Sequence, residues 1–88
     1  MTELVISDIT VRRIINKSNP EDYYYTAYIY LEGHEINGRG SEKHLALKGL
    51  LTNAYKIRDT YDPYIPLDHI KIKVADALLS ADERWHHI

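Results

Sequence analysis

The sequence contains no cysteine, no phenylalanine and no long apolar segment. Without cysteine the chain cannot form a disulfide, use a thiol nucleophile or bind a metal through thiolates. Crossing a bilayer takes about 20 consecutive apolar residues, and no run approaches that length. The first residues, Met1-Thr2-Glu3, also lack the basic segment of a secretion signal. We therefore expect a cytoplasmic protein that does not enter a membrane.

Basic charge and catalytic motifs are scarce as well. The chain has 11 basic and 13 acidic residues, a net charge of −2, so no overall positive field draws it to nucleic acid. None of the five histidines stands four residues from another, and no His-Glu-x-x-His motif is present. No motif places a nucleophile or an acid–base pair against an orienting group. We expect neither an enzyme nor a bound metal or cofactor.

The length of 88 residues fits one α+β domain over residues 1–88. The first half predicts a three-stranded antiparallel meander. Residues 4–15 and 23–31 are rich in β-branched or aromatic residues and alternate in polarity, and residues 34–39 form a short third strand. Turn-forming residues at 16–22 and at Glu32-Gly33 connect these strands as hairpins.

A helix over residues 41–59 is predicted to follow and to pack on one face of the sheet. Ser41 can cap its N-terminus, and the prolines at 63 and 66 end it. Its apolar residues recur at spacings of three and four: Leu47, Leu50, Leu51, Ala54, Ile57 and Tyr61. The predicted core comprises Leu47, Leu51 and Ala54 of this helix with Ile29 and Leu31 of the second strand.

Two structures are open for the segment after Pro66. Ile70, Ile72 and Val74 alternate with lysines, which favours a fourth strand within residues 68–75 and a short C-terminal helix over residues 76–85. Alternatively, Asp68 caps one long helix with an apolar stripe that extends to Trp85. β-Branched residues lower helix propensity, so the strand is the favoured interpretation.

The segment Gly38-Arg39-Gly40-Ser41 joins the third strand to the helix. It brings Arg39, Lys43, Lys48 and the first N–H groups of the helix close together, and such an arrangement can hold a phosphate. It lacks the further glycine and the Lys-Ser or Lys-Thr pair of a phosphate-binding loop. Glycines that redirect the chain and a capping serine explain the same residues without a ligand.

The order strand, Glu32-Gly33, short strand, Gly38-Arg39-Gly40-Ser41-Glu42-Lys43 and helix over residues 23–51 resembles the second half of a double-stranded RNA-binding domain. In that family, lysines at the start of the helix contact phosphates. Lys43 matches one such position, and Glu42 and Ala46 occupy the other two. In size and element order the chain is also similar to small phage-encoded inhibitors, including some anti-CRISPR proteins, and this resemblance implies a protein partner.

Eight tyrosines without phenylalanine indicate surfaces that are apolar on one side and wet on the other. Alternation sends Tyr24, Tyr28 and Tyr30 to the sheet face opposite the helix, with Arg12 or Ile14 of the first strand beside them. We call Tyr24, Tyr28, Tyr30 and Arg12 the tyrosine face. Cross-strand aromatic packing or cover by a terminal helix explains this face structurally, whereas a binding surface explains it functionally.

The leading hypothesis is a small non-catalytic protein that docks on another protein through the tyrosine face, as an inhibitor or adaptor. A phage-encoded, anti-CRISPR-like inhibitor is the example that its size suggests, and a homodimer through the same face is a further arrangement. The alternative is a nucleic-acid-binding module that holds phosphate with Arg39, Lys43 and Lys48. The net charge of −2 ranks nucleic acid second.

Overall fold

The computed structural model describes residues 7–31, 34–79 and 84–87. Its elements, in chain order, are β1 (Thr10–Asn16), β2 (Asn19–Leu31), β3 (His34–Gly40), α1 (Lys43–Thr60), α2 (Leu67–Leu79) and β4 (Arg84–His87). The predicted α+β class, with an antiparallel three-stranded meander followed by a packed helix, is confirmed. The predicted turn at Glu32-Gly33 lies outside the described residues.

The four strands form one sheet in the order β3-β2-β1-β4. β1 and β3 pair antiparallel with β2, and β4 pairs parallel with β1. Only Lys17 and Ser18 separate β1 from β2, because Asn16 pairs with Asn19. The predicted loop over residues 16–22 is therefore too long. The Asn16 side chain closes the turn early by accepting a hydrogen bond from the Ser18 N–H, at 2.9 Å.

The first strand is shorter than the predicted residues 4–15. It begins at Thr10, and residues 1–6 lie outside the described part of the chain. The Ser7 N–H donates to the Tyr30 carbonyl oxygen at 3.0 Å, but the Tyr30 N–H donates to the Ser7 hydroxyl at 2.8 Å. A side-chain oxygen thus replaces the backbone carbonyl that a strand ladder would use, and the ladder is interrupted before β1.

The hydrophobic core lies between α1 and one face of the sheet. α1 packs across β3 and β2, and α2 packs against α1. Four predicted core residues, Ile29, Leu31, Leu47 and Ala54, are buried, and Leu51 is half-buried against the same cluster. The residues with almost no exposed side chain are Ile29, Ile36, Leu47, Leu50 and Ile70. Tyr61, predicted on the same stripe, is 82% exposed because α1 ends one residue before it.

Close contact between β3 and α1 explains the glycines at 38 and 40. A Cβ on Gly38 would lie 2.1 Å from the Leu50 nitrogen, and one on Gly40 would lie 2.6 Å from the Leu45 Cβ. Both glycines belong to β3, where their missing side chains let the helix backbone approach the strand. The predicted cap by Ser41 is wrong. β3 ends at Gly40 and α1 begins at Lys43, so the N-cap is Glu42. The Glu42 side chain makes no capping hydrogen bond.

The predicted strand within residues 68–75 is wrong, since these residues belong to α2. Its buried residues, Leu67, Ile70, Val74 and Ala77, recur at helical spacing. Packing of this stripe outweighs the low helix propensity of the β-branched residues. The expected short helix over residues 76–85 is not found either, because α2 ends at Leu79 and Trp85 lies in β4.

Ionic contacts join α2 to its neighbours. The Lys73 Nζ lies 2.5 Å from Asp8 Oδ1, and this hydrogen-bonded ion pair lowers the pKa of Asp8 and raises the pKa of Lys73. The Lys71 Nζ lies 5.3 Å from the centroid of the Tyr55 ring of α1, and a hydrogen bond with Tyr55 raises the pKa of Lys71. Within the described residues, neither helix has the length and apolarity needed to cross a bilayer.

Candidate functional site

The sheet face opposite α1, which we call the outer face, carries alternate residues of β2. Ala27 and Ile29 point into the core and are fully buried. Because side chains alternate along a strand, Tyr24, Tyr28 and Tyr30 stand on the other face. The structure thus assembles the tyrosines of the predicted tyrosine face, with no helix of the described residues packed over them.

Tyr28 and Tyr30 form an aromatic pair at the exposed end of β2. Their ring centroids are 5.5 Å apart and the ring planes meet at 76°, an edge-to-face arrangement. Tyr30 is 51% exposed and Tyr28 is half-buried. This contact restricts the orientations open to the two rings.

Arg12 completes the predicted set. It pairs with Thr26 across the β1–β2 ladder, and its guanidinium carbon lies 5.2 Å from the centroid of the Tyr28 ring. This separation is within the range of a cation–π contact. Of the two β1 residues predicted beside the tyrosines, Arg12 lies by Tyr28, and Ile14 pairs with Tyr24 and is buried.

Arg39 also belongs to the outer face, and the sequence interpretation missed this. Its neighbours Gly38 and Gly40 face α1, so alternation turns Arg39 to the opposite side of β3. Its guanidinium carbon lies 3.7 Å from the centroid of the Tyr24 ring. The available signal was the alternation of the predicted strand over residues 34–39, but Arg39 was assigned to the segment that joins this strand to the helix.

Register aligns the two arginines across the sheet. Thr26 pairs with Arg12 on one side and with Arg39 on the other, and we call these three residues the arginine row. The backbone register continues from Arg12 to Arg84 of β4. Two arginines of the outer face therefore lie in one row across a protein whose net charge is −2.

The three cations of the predicted phosphate site do not share one surface. Arg39 stands on the outer face, whereas Lys43 and Lys48 belong to α1, on the other side of the sheet. Five residues of helix turn Lys48 about 140° away from Lys43. Lys43 is half-buried, Lys48 is exposed, and the exposed Glu42 occupies the N-cap. The structure brings Arg39 together with tyrosines rather than with the lysines.

A second arginine–tyrosine cluster lies on the face that α1 covers. The Arg13 guanidinium carbon is 3.9 Å from the centroid of the Tyr23 ring and 5.9 Å from that of Tyr25. The two rings meet edge to face with centroids 6.1 Å apart. Tyr25 is buried and Tyr23 packs against the core, so this cluster supports the sheet from within.

The outer face presents aromatic rings and guanidinium groups. Tyrosine rings and guanidinium groups supply apolar area and hydrogen-bond donors. Among the described residues, no three His, Asp or Glu side chains lie close enough together to hold a metal ion. Comparison of the chain with protein-family models, curated proteins and solved structures finds no match to any of them.

Proposed function

We propose that this chain is a non-catalytic interaction protein that docks on another protein through the tyrosine face. The observation that carries the proposal is the half-exposed Tyr30, held edge to face against Tyr28, with Arg12 at the same ring. Tyrosine and arginine dominate the binding energy of protein interfaces, where a fixed aromatic ring buries a large area at low entropic cost.

The proposed role is that of an inhibitor or adaptor in the cytoplasm, because a small domain acts by occupying a surface of its partner. The small size of the chain, in which it resembles phage-encoded inhibitors such as anti-CRISPR proteins, favours the inhibitor role. A second copy of the chain is the other protein that this face could receive, and the mass of the protein in solution distinguishes that arrangement.

The nucleic-acid alternative has less support. It needs Arg39, Lys43 and Lys48 to contact one phosphate chain at the N-terminus of α1. Arg39 stacks on Tyr24 on the other side of the sheet, and Glu42 places a carboxylate at the helix start. A carboxylate at this point competes with a bound phosphate for the N–H groups of the helix.

The test has two stages, and the full chain is the bait in both. The protein is first cross-linked in extracts of its native host, and partners are identified by mass spectrometry. The affinity of a purified partner is then measured for the wild type, for Tyr30→Ala and for Ile72→Ala. Ile72 is 60% exposed on α2 and serves as the control, since its removal takes an apolar side chain from a different surface.

We expect Tyr30→Ala to weaken binding by about 2 kcal/mol or more and Ile72→Ala to leave it within about 0.5 kcal/mol. An unchanged affinity in a folded Tyr30→Ala protein would overturn the proposal. A light-scattering mass of twice the chain mass that falls to the monomer value in Tyr30→Ala would assign the face to a homodimer instead.

A further inference from the structure

We propose that the arginine row, Arg12, Thr26 and Arg39, recognises an acidic segment of the protein partner. The two guanidinium groups would bind its carboxylates while the tyrosines pack against its apolar atoms. This inference rests on the proposed function and names the chemistry of the partner.

The register supplies the first argument. Thr26 separates the two arginines, so their Cα atoms are two strand spacings apart, roughly 10 Å. The guanidinium groups themselves lie by the rings of Tyr24 and Tyr28, four residues apart along β2, so two separate carboxylates of a protein segment match them better than one small anion does. The row is flanked along β2 by Tyr24 on one side and Tyr28 on the other.

The contact of each guanidinium with an aromatic ring supplies the second argument. Arg39 and Arg12 place their guanidinium groups by the rings of Tyr24 and Tyr28. A guanidinium that stacks on a ring keeps its N–H groups at its edge, where they point into the surroundings. Such a fixed planar fork suits a carboxylate, which accepts two parallel hydrogen bonds from it.

The ion pairs formed among the described residues also leave the row unneutralised. Within the described residues, the ion pairs are Arg58 with Asp59 and Lys73 with Asp8, and neither involves the row. Glu35, on the outer face of β3, lies four residues from Arg39, roughly 13 Å along the strand. Salt screens charges over about 8–10 Å, so Glu35 does little to offset the row.

An acidic protein fits this surface better than a nucleic acid does. Binding of single strands to a sheet face uses the faces of aromatic rings as stacking platforms for bases. Here guanidinium groups occupy ring faces of Tyr24 and Tyr28.

The experiment measures binding of two fluorescent probes of equal charge at low ionic strength, an oligoglutamate peptide and an oligodeoxythymidine. The variants are Arg12→Ala/Arg39→Ala and Arg12→Lys/Arg39→Lys. The second variant keeps the charge and loses the planar fork. The control is Lys17→Ala/Lys56→Ala, which removes two exposed charges from the β1–β2 turn and from α1.

We expect the wild type to bind oligoglutamate and the alanine pair to bind it at least about tenfold more weakly, with the lysine pair between them and the control within about twofold. Absence of peptide binding, or an equal loss in the control, would overturn the inference. Tighter binding of oligodeoxythymidine through the same arginines would assign the row to nucleic acid. If the alanine pair does not fold, the lysine pair alone provides the test. Equal binding of oligoglutamate by the wild type and the lysine pair would reject recognition by the planar guanidinium groups.

Binding of the identified partner distinguishes a failure of this inference from a failure of the proposed function. If Tyr30→Ala weakens that partner and Arg12→Ala/Arg39→Ala does not, the interaction role stands and the acidic partner is rejected. If neither change affects the partner, the outer face is not its binding surface and both proposals fail.

Discussion

Gly38 lies against the backbone of α1 so closely that a methyl group there would meet the Leu50 nitrogen at 2.1 Å. The same added atom would lie 2.3 Å from the Ala46 carbonyl oxygen. No side-chain rotation relieves contacts with backbone atoms. The short distance between the backbones of β3 and α1 therefore depends on glycine at this position.

We expect Gly38→Ala to lower the free energy of unfolding by about 3 kcal/mol or more, because strand and helix must move apart. Gly49→Ala is the matched control. Its added Cβ would have no neighbour closer than 3.4 Å, and alanine favours a helix over glycine by about 1 kcal/mol. Urea melts of both variants check this. Equal losses in the two variants would show that close approach at Gly38 is not what the fold requires.

Leu50 and Leu51 provide a test of which side of α1 faces the core. Leu50 is fully buried and Leu51 is half-buried. Leu50→Ala should cost about 2–5 kcal/mol of stability, and Leu51→Ala distinctly less, because a smaller cavity and less apolar area are involved. Chemical denaturation of both variants measures the difference. A larger loss for Leu51→Ala would contradict the helix orientation described above.

Duplex RNA should bind weakly or not at all, because Arg39 is separated from Lys43 and Lys48 by the sheet. Gel shifts at physiological salt test this, with Lys43→Ala and Arg39→Ala as variants. Submicromolar binding that weakens in both variants would restore the nucleic-acid function and require Arg39 to leave Tyr24.

The ion pair between Asp8 and Lys73 should make stability depend on pH at both extremes. The pKa of Asp8 is lowered from 3.8, so its contribution is present above that value and is lost as the pH falls through the folded-state pKa. The pKa of Lys73 is raised from 10.5, so its contribution is present below that value and is lost as the pH rises through the folded-state pKa.

The measurement compares melting temperatures of the wild type and Asp8→Asn across this range. The difference should be small, because the Asp8 side chain is 90% exposed to solvent and the pair is screened. We expect it to be greatest between the two pKa values, to shrink in acid and in strong base, and to decrease with salt. A difference that is constant from acid to neutral pH would show that the pair does not stabilise the fold.

The parts of the fold that the sequence predicted are those with a strong local period. Alternation around Ile29 predicted β2, and apolar spacing around Leu47 and Ala54 predicted α1. Ile70, Ile72 and Val74 fit a strand period, whereas Ile70, Val74 and Ala77 fit a helical one, and only packing of α2 against α1 decides between them. Such packing is a property of the tertiary structure and cannot be deduced from the segment alone.

The candidate site was also predictable only where it depends on a local period. Alternation within one strand placed Tyr24, Tyr28 and Tyr30 on a common face. The contact of Arg39 with Tyr24 depends on the register between β2 and β3, which pairs Thr26 with Arg39. The fit of Gly38 against α1 helps to set this register, and it is not visible in the spacing of the arginines.

The parallel pairing of β4 with β1 has a consequence for how the protein is made. Arg12 pairs with Arg84, and β2, β3, α1 and α2 all lie between these two residues in the sequence. The meander and α1 depend on neighbours in sequence and can form while synthesis continues, whereas β4 emerges from the ribosome after them. Until it does, the backbone of β1 is an open sheet edge in the nascent chain, and strand addition from another polypeptide competes with β4 for it.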